Sequence, residues 1–386
     1  DVYKRQAVGK SALGANTGNE NTALGNRALE DNTSGTGNVA VGHDALKDNT
    51  TALENTAIGT DCLRTNTTGA ENVAVGAYAL YTNNGDDNTA VGKAALYANT
   101  TGAYNTAVGR NALATNTTGD NNVAVGGLAL DAATTASNNV AVGVWTMSDV
   151  TTGHSSVAVG YNALRLCSTG SSNVAVGKDA MDSCTTGYDN VCIGQDAGET
   201  ITTGYANVIM GYVAGDTLST GYNNVYLGKN ADASAGNVNH ENTFGADLTG
   251  KGTSTTFIRG ICYQGNNSST WSTTSDVRIK KNIADNTTGL YKINQIRVRN
   301  FEYRTPDEID YTEFVEGTNP KSIPINEKGV QLGVIAQEIQ EILPDIVETE
   351  STGVKRVNPD NLTWYLVNAI KELSAEVEQL KSQLNN

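Results

Sequence analysis

The sequence predicts an all-β repeat solenoid followed by a small α+β domain that ends in a coiled-coil helix. Three observations carry that expectation. A glycine recurs at near-constant spacing, the residues before it alternate with period two, and the composition changes abruptly near residue 275.

The glycines stand at 9, 25, 42, 59, 76, 92, 109, 126, 143, 160, 177, 194, 211, 228 and 245, giving fifteen units spaced seventeen residues apart except for two intervals of sixteen. Such self-similarity means that one short structural unit is stacked many times. The residue before the glycine is always large and apolar, from Val8 to Phe244, and Leu or Met follows four residues after it in eleven units, from Leu13 to Met181. The "V-A-V" core suits a short strand better than a helix, and the "NTTG" that follows supplies turn chemistry. Each unit reads as one coil, and at about 4.8 Å per coil the rod is roughly 70 Å long.

Asn stands four residues before the glycine in most units (Asn21, Asn38, Asn55, Asn72, Asn88, Asn105, Asn122, Asn139, Asn173, Asn190, Asn207, Asn224), and a second column runs through Asn16, Asn32, Asn49, Asn66, Asn83, Asn99 and Asn116. Both are expected to form structural ladders in which side-chain amides bond along the stack. The glycines ten after the anchor (Gly69, Gly102, Gly119, Gly187) are expected to supply positive-φ turns. The strand alanines, such as Ala74, Ala107 and Ala124, are expected to form a second, uncovered apolar face. Three chains about a common axis would bury that face and protect the sheet edges, which predicts an obligate trimer.

The formal charge of −15 argues against nucleic acid or an anionic membrane as partner, because clustered Lys and Arg are missing. No stretch approaches the roughly 20 apolar residues of a membrane span, and "DVYKRQAVG" reads as the start of a fragment of something longer. Five cysteines are too few and scattered for a disulfide scaffold or a paired C-x-x-C zinc site. Cys62 and Cys192 fall on small apolar positions, while Cys167 and Cys184 replace the second Asn column one coil apart, where a disulfide is conceivable and free thiols are expected. His43, His154 and His240 share no motif, so no metal site and no cofactor is expected.

The unit "N-V-A-V-G-x-x-A-L" resembles the head repeats of trimeric autotransporter adhesins and similar repeats of bacteriophage tail fibres, over about residues 6–245. The resemblance implies a left-handed parallel β-roll, three side by side; a triple-stranded β-helix of intertwined chains is the alternative.

After residues 1–245, a stalk or neck is expected over 246–274, with "TTFIRGICYQG" (255–265) as a strand. Residues 275–386 form a second domain of ordinary composition. Here "IRVRNFEYR" (296–304) alternates like a strand, and "AQEIQEIL" reads as an amphipathic helix stopped by Pro344. Ile370, Leu373, Val377, Leu380 and Leu384 repeat at 3, 4, 3, 4, the seam of a coiled coil.

At the boundary, a serine and a lysine five apart in "SDVRIKKNI" carry no signal by spacing alone. Together with "GVIAQEIQEILPDIV" (333–347) and "VNPDNLTWYLVNAIKELSAEVEQL" (357–380), however, the segment resembles the intramolecular chaperone auto-processing domain of endosialidase-type phage spikes and fibres. That resemblance implies a domain that guides trimerisation and then cuts itself off, with the cleavage site at Thr274 and Ser275. It implies Ser275 and Lys280 as the dyad and Asp276 in the acidic position beside the serine; Lys281 is the neighbouring basic residue. The residue types fit, because a serine hydroxyl needs a base to take its proton and a buried lysine is such a base.

The functional expectation is a trimeric phage tail fibre or spike that binds a host surface receptor and joins an upstream fibre or tail protein. The mature part would reside in the virion, and the cut chaperone would be released in the host cytoplasm. A bacterial surface adhesin would need a membrane-anchoring β-barrel, and "EVEQLKSQLNN" reads as none. A glycan depolymerase would need paired carboxylates, and "NNGDDN" and "TGYDN" are isolated. The coils between Gly126 and Gly160 lose the second Asn column, replace a Leu with Met147 and carry Trp145 and His154, which points to receptor contact there.

Overall fold

The computed structural model describes residues 4–258, 281–315, 328–350 and 352–384. It divides into two compact units, one up to Gly250 and one from Lys251 onward. The first unit is a parallel β-solenoid. Fifteen three-residue strands, from β1 (Gln6–Val8) to β15 (Asn242–Phe244), pair in chain order, each with the next. The register advances by one repeat, as in Val157↔Val174 and Ala158↔Ala175. Every coil hydrogen-bonds to its successor in the same chain, so the coil closes within one chain and the intertwined alternative is not adopted.

The strand alternation is inverted relative to the trimer argument. The central alanines, including Ala74, Ala107 and Ala124, are fully buried inside their own coil. The outward residues are the flanking ones, so that Leu24, Ile58, Val91, Val108, Val125, Val159, Ile193 and Met210 are 36 to 48% exposed. The reason is volume. A coil this short leaves room on the strand side only for a methyl group, because Leu29, Leu46, Leu63, Leu80, Leu96 and Leu113 already fill the space from the opposite turn. Three of the last coils confirm the trade. Leu gives way to Gly198, Gly215 and Asp232, and the strand position grows to Cys192, Ile209 and Tyr226, all buried. A Cβ at Gly215 would lie 2.7 Å from Ile209 Cδ1.

The leucines pack in an unexpected backbone state. Leu46, Leu63, Leu80 and Leu113 have φ of 48 to 50°, in the left-handed region that costs a non-glycine residue roughly 1–2 kcal/mol. Full burial of a leucine contributes about 1.5–3 kcal/mol, which offsets that cost. The anchor glycines need a conformation closed to other residues, as at Gly76 with φ 136°. A Cβ there would also lie 2.6 Å from Gly92 O, a backbone atom that has nowhere to go. The glycines ten after the anchor differ from expectation: Gly69, Gly102, Gly119 and Gly187 do not have positive φ. They are required by close approach instead, a Cβ on Gly102 falling 2.5 Å from both Gly119 O and Asn99 Oδ1.

Both Asn columns form ladders. In the first, each Oδ1 accepts from the next coil, as Asn105 Oδ1 does from Asn122 N at 3.0 Å and Nδ2 at 3.1 Å, while Asn105 Nδ2 donates to Gly119 O at 2.8 Å. Ser156 continues the ladder where Asn is missing, donating its N–H to Asn139 Oδ1 at 3.0 Å and accepting from Asn173 N at 3.1 Å. The second column bonds alike, Asn49 Nδ2 to Asn32 Oδ1 at 2.7 Å, and gives way to apolar Ala133 and Val150. Tyr188, Tyr205 and Tyr222 stack at 4.8 Å, the spacing of adjacent strands. Asn105→Ala strands the Asn122 N–H, at about 1–3 kcal/mol for the unsatisfied group, while the Gly119 carbonyl keeps the Asn116 Nδ2 donor at 3.0 Å. Hydrogen exchange at the Asn122 amide is expected to quicken on the order of 100-fold.

The thiols are part of this core. Burial pushes Cys62 up to about 12. Cys167 Sγ and Cys184 Sγ lie 3.2 Å apart as free thiols, and the hydrogen bond that Cys184 shares with Cys167, followed by burial, pushes Cys184 upward. In a Cys262→Ser background the native chain is therefore expected to resist alkylation at pH 8, with Cys62 holding roughly three orders of magnitude less thiolate than a free cysteine. Mass spectrometry before and after unfolding reads the outcome.

Candidate functional site

The second unit begins with β16 (Thr256–Ile258); the rest of the predicted neck strand, to residue 265, lies outside the described residues. Thr274, Ser275, Asp276 and Lys280 lie outside them as well, so the site is built from the residues on their C-terminal side. Helix α1 (Leu290–Ile293) precedes β17 (Arg299–Phe301), which pairs antiparallel with β18 (Gln331–Gly333). Helix α2 (Ala336–Ile342) ends where Pro344, lacking an amide hydrogen, opens a short 3-10 turn. A second hairpin joins β19 (Val347–Thr349) to β20 (Lys355–Val357) and leads into α3 (Pro359–Leu384), of 26 residues.

A small core of Ile339, Leu343, Ile346 and Tyr365 holds α2, the 3-10 turn and the start of α3 together. The Tyr365 hydroxyl donates to Asp345 Oδ2, which first, with burial second, raises the tyrosine above its ordinary range. Arg299 clamps Glu338 through Nη2 at 2.6 Å and Nε at 3.3 Å, tying β17 to α2. That hydrogen bond holds the Glu338 carboxyl below the usual range.

The segment just after Lys280 is fastened to α3. Asn368 Nδ2 donates to Asn286 O at 2.9 Å and Thr288 O at 3.2 Å, and Glu372 Oε2 accepts the Leu290 N–H at 2.7 Å. Asn368 and Glu372 are four apart and so share a helix face. The predicted seam occupies another face, with Ile370, Leu373, Val377, Leu380 and Leu384 between 40 and 85% exposed. From Leu373 to Leu384 every residue of α3 is exposed, so no described residue of its unit covers this stretch. An isolated helix of that length is marginal in water. The helix thus links two things: an unpartnered heptad stripe and the chain immediately downstream of the proposed dyad.

Sequence reasoning missed one cluster in the solenoid. Among the described residues, His43, Asp44 and Asp61 bring potential ligand atoms within 4.8 Å of one another, because the aspartates repeat in one column. Arg27 Nη2 lies 2.6 Å from Asp44 and Arg64 Nη1 3.1 Å from Asp61, so two guanidiniums already supply the counter-charge that a cation would. His240 packs edge-on to Tyr222 at 5.6 Å, and His154 is exposed. No helix among the described residues is long and apolar enough to cross a membrane.

Comparison with known families adds one finding. Residues 275–348 match the family model described as chaperone of endosialidase. The match opens on Ser275, takes in both "SDVRIKKNI" and the α2 motif, and stops before α3. The chain carries a chaperone-of-endosialidase domain C-terminal to a parallel β-solenoid.

Proposed function

We propose that the chain is part of a bacteriophage tail fibre or spike, a trimeric solenoid that binds a host surface and whose chaperone domain directs trimerisation and then releases itself by cleavage between Thr274 and Ser275. The observation that carries the reading is the family match that opens on Ser275. The exposed seam of α3 and the outward apolar stripe of the solenoid support three-fold association, since each leaves large side chains half in water.

In the proposed chemistry, Lys280, neutral through burial in the assembled particle, takes the Ser275 hydroxyl proton, and Oγ attacks the Thr274 carbonyl carbon. The Thr274–Ser275 C–N bond breaks, the amine leaves with the proton, and the chain is joined through an ester. Water then opens the ester to a Thr274 carboxylate and the free Ser275 hydroxyl, so each chain reacts once. Asp276 supports the serine from the adjacent position. The α3 tether at Asn286 to Leu290 gives a route by which seam pairing orders the segment that holds Lys280.

Expression of the wild-type chain followed by a denaturing gel and intact-mass measurement tests the proposal. It requires an N-terminal product ending at Thr274 and a partner piece beginning at Ser275. Lys280→Arg is expected to abolish cutting, because a guanidinium does not deprotonate, whereas Lys281→Arg leaves it unchanged.

A further inference from the structure

Between the coils that start at Gly143 and Gly160 the surface holds a hollow of about 310 Å³ lined by Trp145, Ser148, Asn162 and Arg165. The repeat itself builds it. Trp145 and Asn162 occupy the second position after the glycine in successive coils, both with a left-handed backbone, φ 56° and 54°. Ser148 and Arg165 occupy the fifth position and form the opposite wall. The first of these coils, from Gly143, is one in which the repeat pattern breaks down, so an irregular sequence adjoins a concave surface.

The walls are held in place. Trp145 is 41% exposed and meets the ring of Tyr161 edge-on, centroids 5.6 Å apart at 62°, which leaves indole surface open to solvent. Arg165 is fixed by Asp182 in a bidentate pair, Nε to Oδ1 at 2.8 Å and Nη2 to Oδ2 at 3.0 Å. Asn162 Nδ2 donates to Asp179 Oδ1 at 2.9 Å, and the Ser148 hydroxyl donates to Asp149 Oδ1 at 3.2 Å. The polar groups are therefore pre-oriented, which lowers the ordering cost of binding.

The chemistry selects the ligand. A rigid aromatic surface beside a few fixed polar groups suits a molecule with one apolar face and a rim of hydroxyls. Asp149, Asp179 and Asp182 surround Arg165, and its charge is already spent on Asp182, so an acidic ligand meets net repulsion. A volume of about 310 Å³ is at the small end of ligand sites, which run from roughly 300 to 1,000 Å³.

We infer that this hollow is a binding subsite for a neutral saccharide unit, with Trp145 as the stacking surface and Ser148, Asn162 and Arg165 as the polar wall. The inference rests on the host-binding reading of the solenoid for its biological setting.

Saturation-transfer NMR and titration of the purified chain with maltotetraose, cellotetraose, mannotetraose, chitotetraose and, as the acidic arm, tetragalacturonate test it. At least one neutral oligosaccharide is expected to bind, with affinity falling roughly tenfold or more in Trp145→Ala and only a few-fold in Trp145→Phe. An unchanged melting temperature shows that the exposed substitution has not unfolded the coil. Binding that is absent for every neutral sugar, that survives Trp145→Ala, or that favours tetragalacturonate overturns the inference. Cleavage is scored on the same preparations. Failure of sugar binding with cutting intact removes only this subsite, and failure of cutting with sugar binding intact removes only the self-release.

Discussion

Ser275→Ala is expected to leave the chain whole at 40.4 kDa under conditions in which the wild type is cut to completion. The substitution deletes one hydroxyl, with no added volume, so folding and association are expected to be retained. What disappears is the nucleophile, for which water held at the same carbonyl is a poor substitute. Removing a catalytic serine elsewhere costs many orders of magnitude in rate, and a loss of at least about 10³-fold is expected here. An uncut but still trimeric variant separates the two roles of the domain, because assembly would then precede cutting. A variant cut at the wild-type rate would place the nucleophile elsewhere.

Leu373→Asp combined with Val377→Asp is expected to yield a monomeric, uncut chain. Both side chains are exposed in the isolated unit, 50 and 40%, so the protomer loses no internal packing. In a three-helix seam, six large apolar side chains would be replaced by carboxylates facing one another. At about 1.5–3 kcal/mol per buried side chain, the lost association energy is on the order of 10 kcal/mol before repulsion is counted. Cutting is expected to fail with assembly, because the segment downstream of Lys280 hangs from the same helix through Asn368 and Glu372. A monomer that still cuts itself would break the proposed coupling. Ultracentrifugation and a denaturing gel on the same sample read both outcomes.

The proposed C-terminal clamp suits this solenoid in particular. Adjacent coils present nearly the same outward Val, Leu and Ile stripe, so chains slipped by one coil lose little contact. Aligning the chain ends removes the slipped states. Once the proposed cut removes the clamp, the rod would not readily find its register again, and its persistence would be kinetic.

The repeat made the solenoid legible, because fifteen near-identical units leave few alternatives to a stack. Which way the strand faced was not. Period two states that Ala74 and its neighbours Val73 and Val75 point oppositely, but the inward choice depends on the volume already taken by the leucines on the far turn. The positive φ of Leu46 and its counterparts had no signature, since leucine disfavours that region and enters it only where burial outweighs the cost. Gly102 shows the converse: its period was visible, yet close approach and positive φ leave the same mark in a sequence.

In the second unit, α2 and its stop at Pro344 followed from local pattern, as did the heptads of α3. The bonds from Asn368 and Glu372 to residues 286–290 join positions some 80 residues apart, which no local pattern encodes. The proposed dyad is carried by a motif alone, because its chemistry depends on an environment that neighbouring residues do not specify.

Native mass spectrometry of the purified wild-type chain bears most directly on self-release after assembly. The account predicts a particle of three chains, each ending at Thr274. A stable particle of three chains each still running through Ser275 to Asn386 would contradict it.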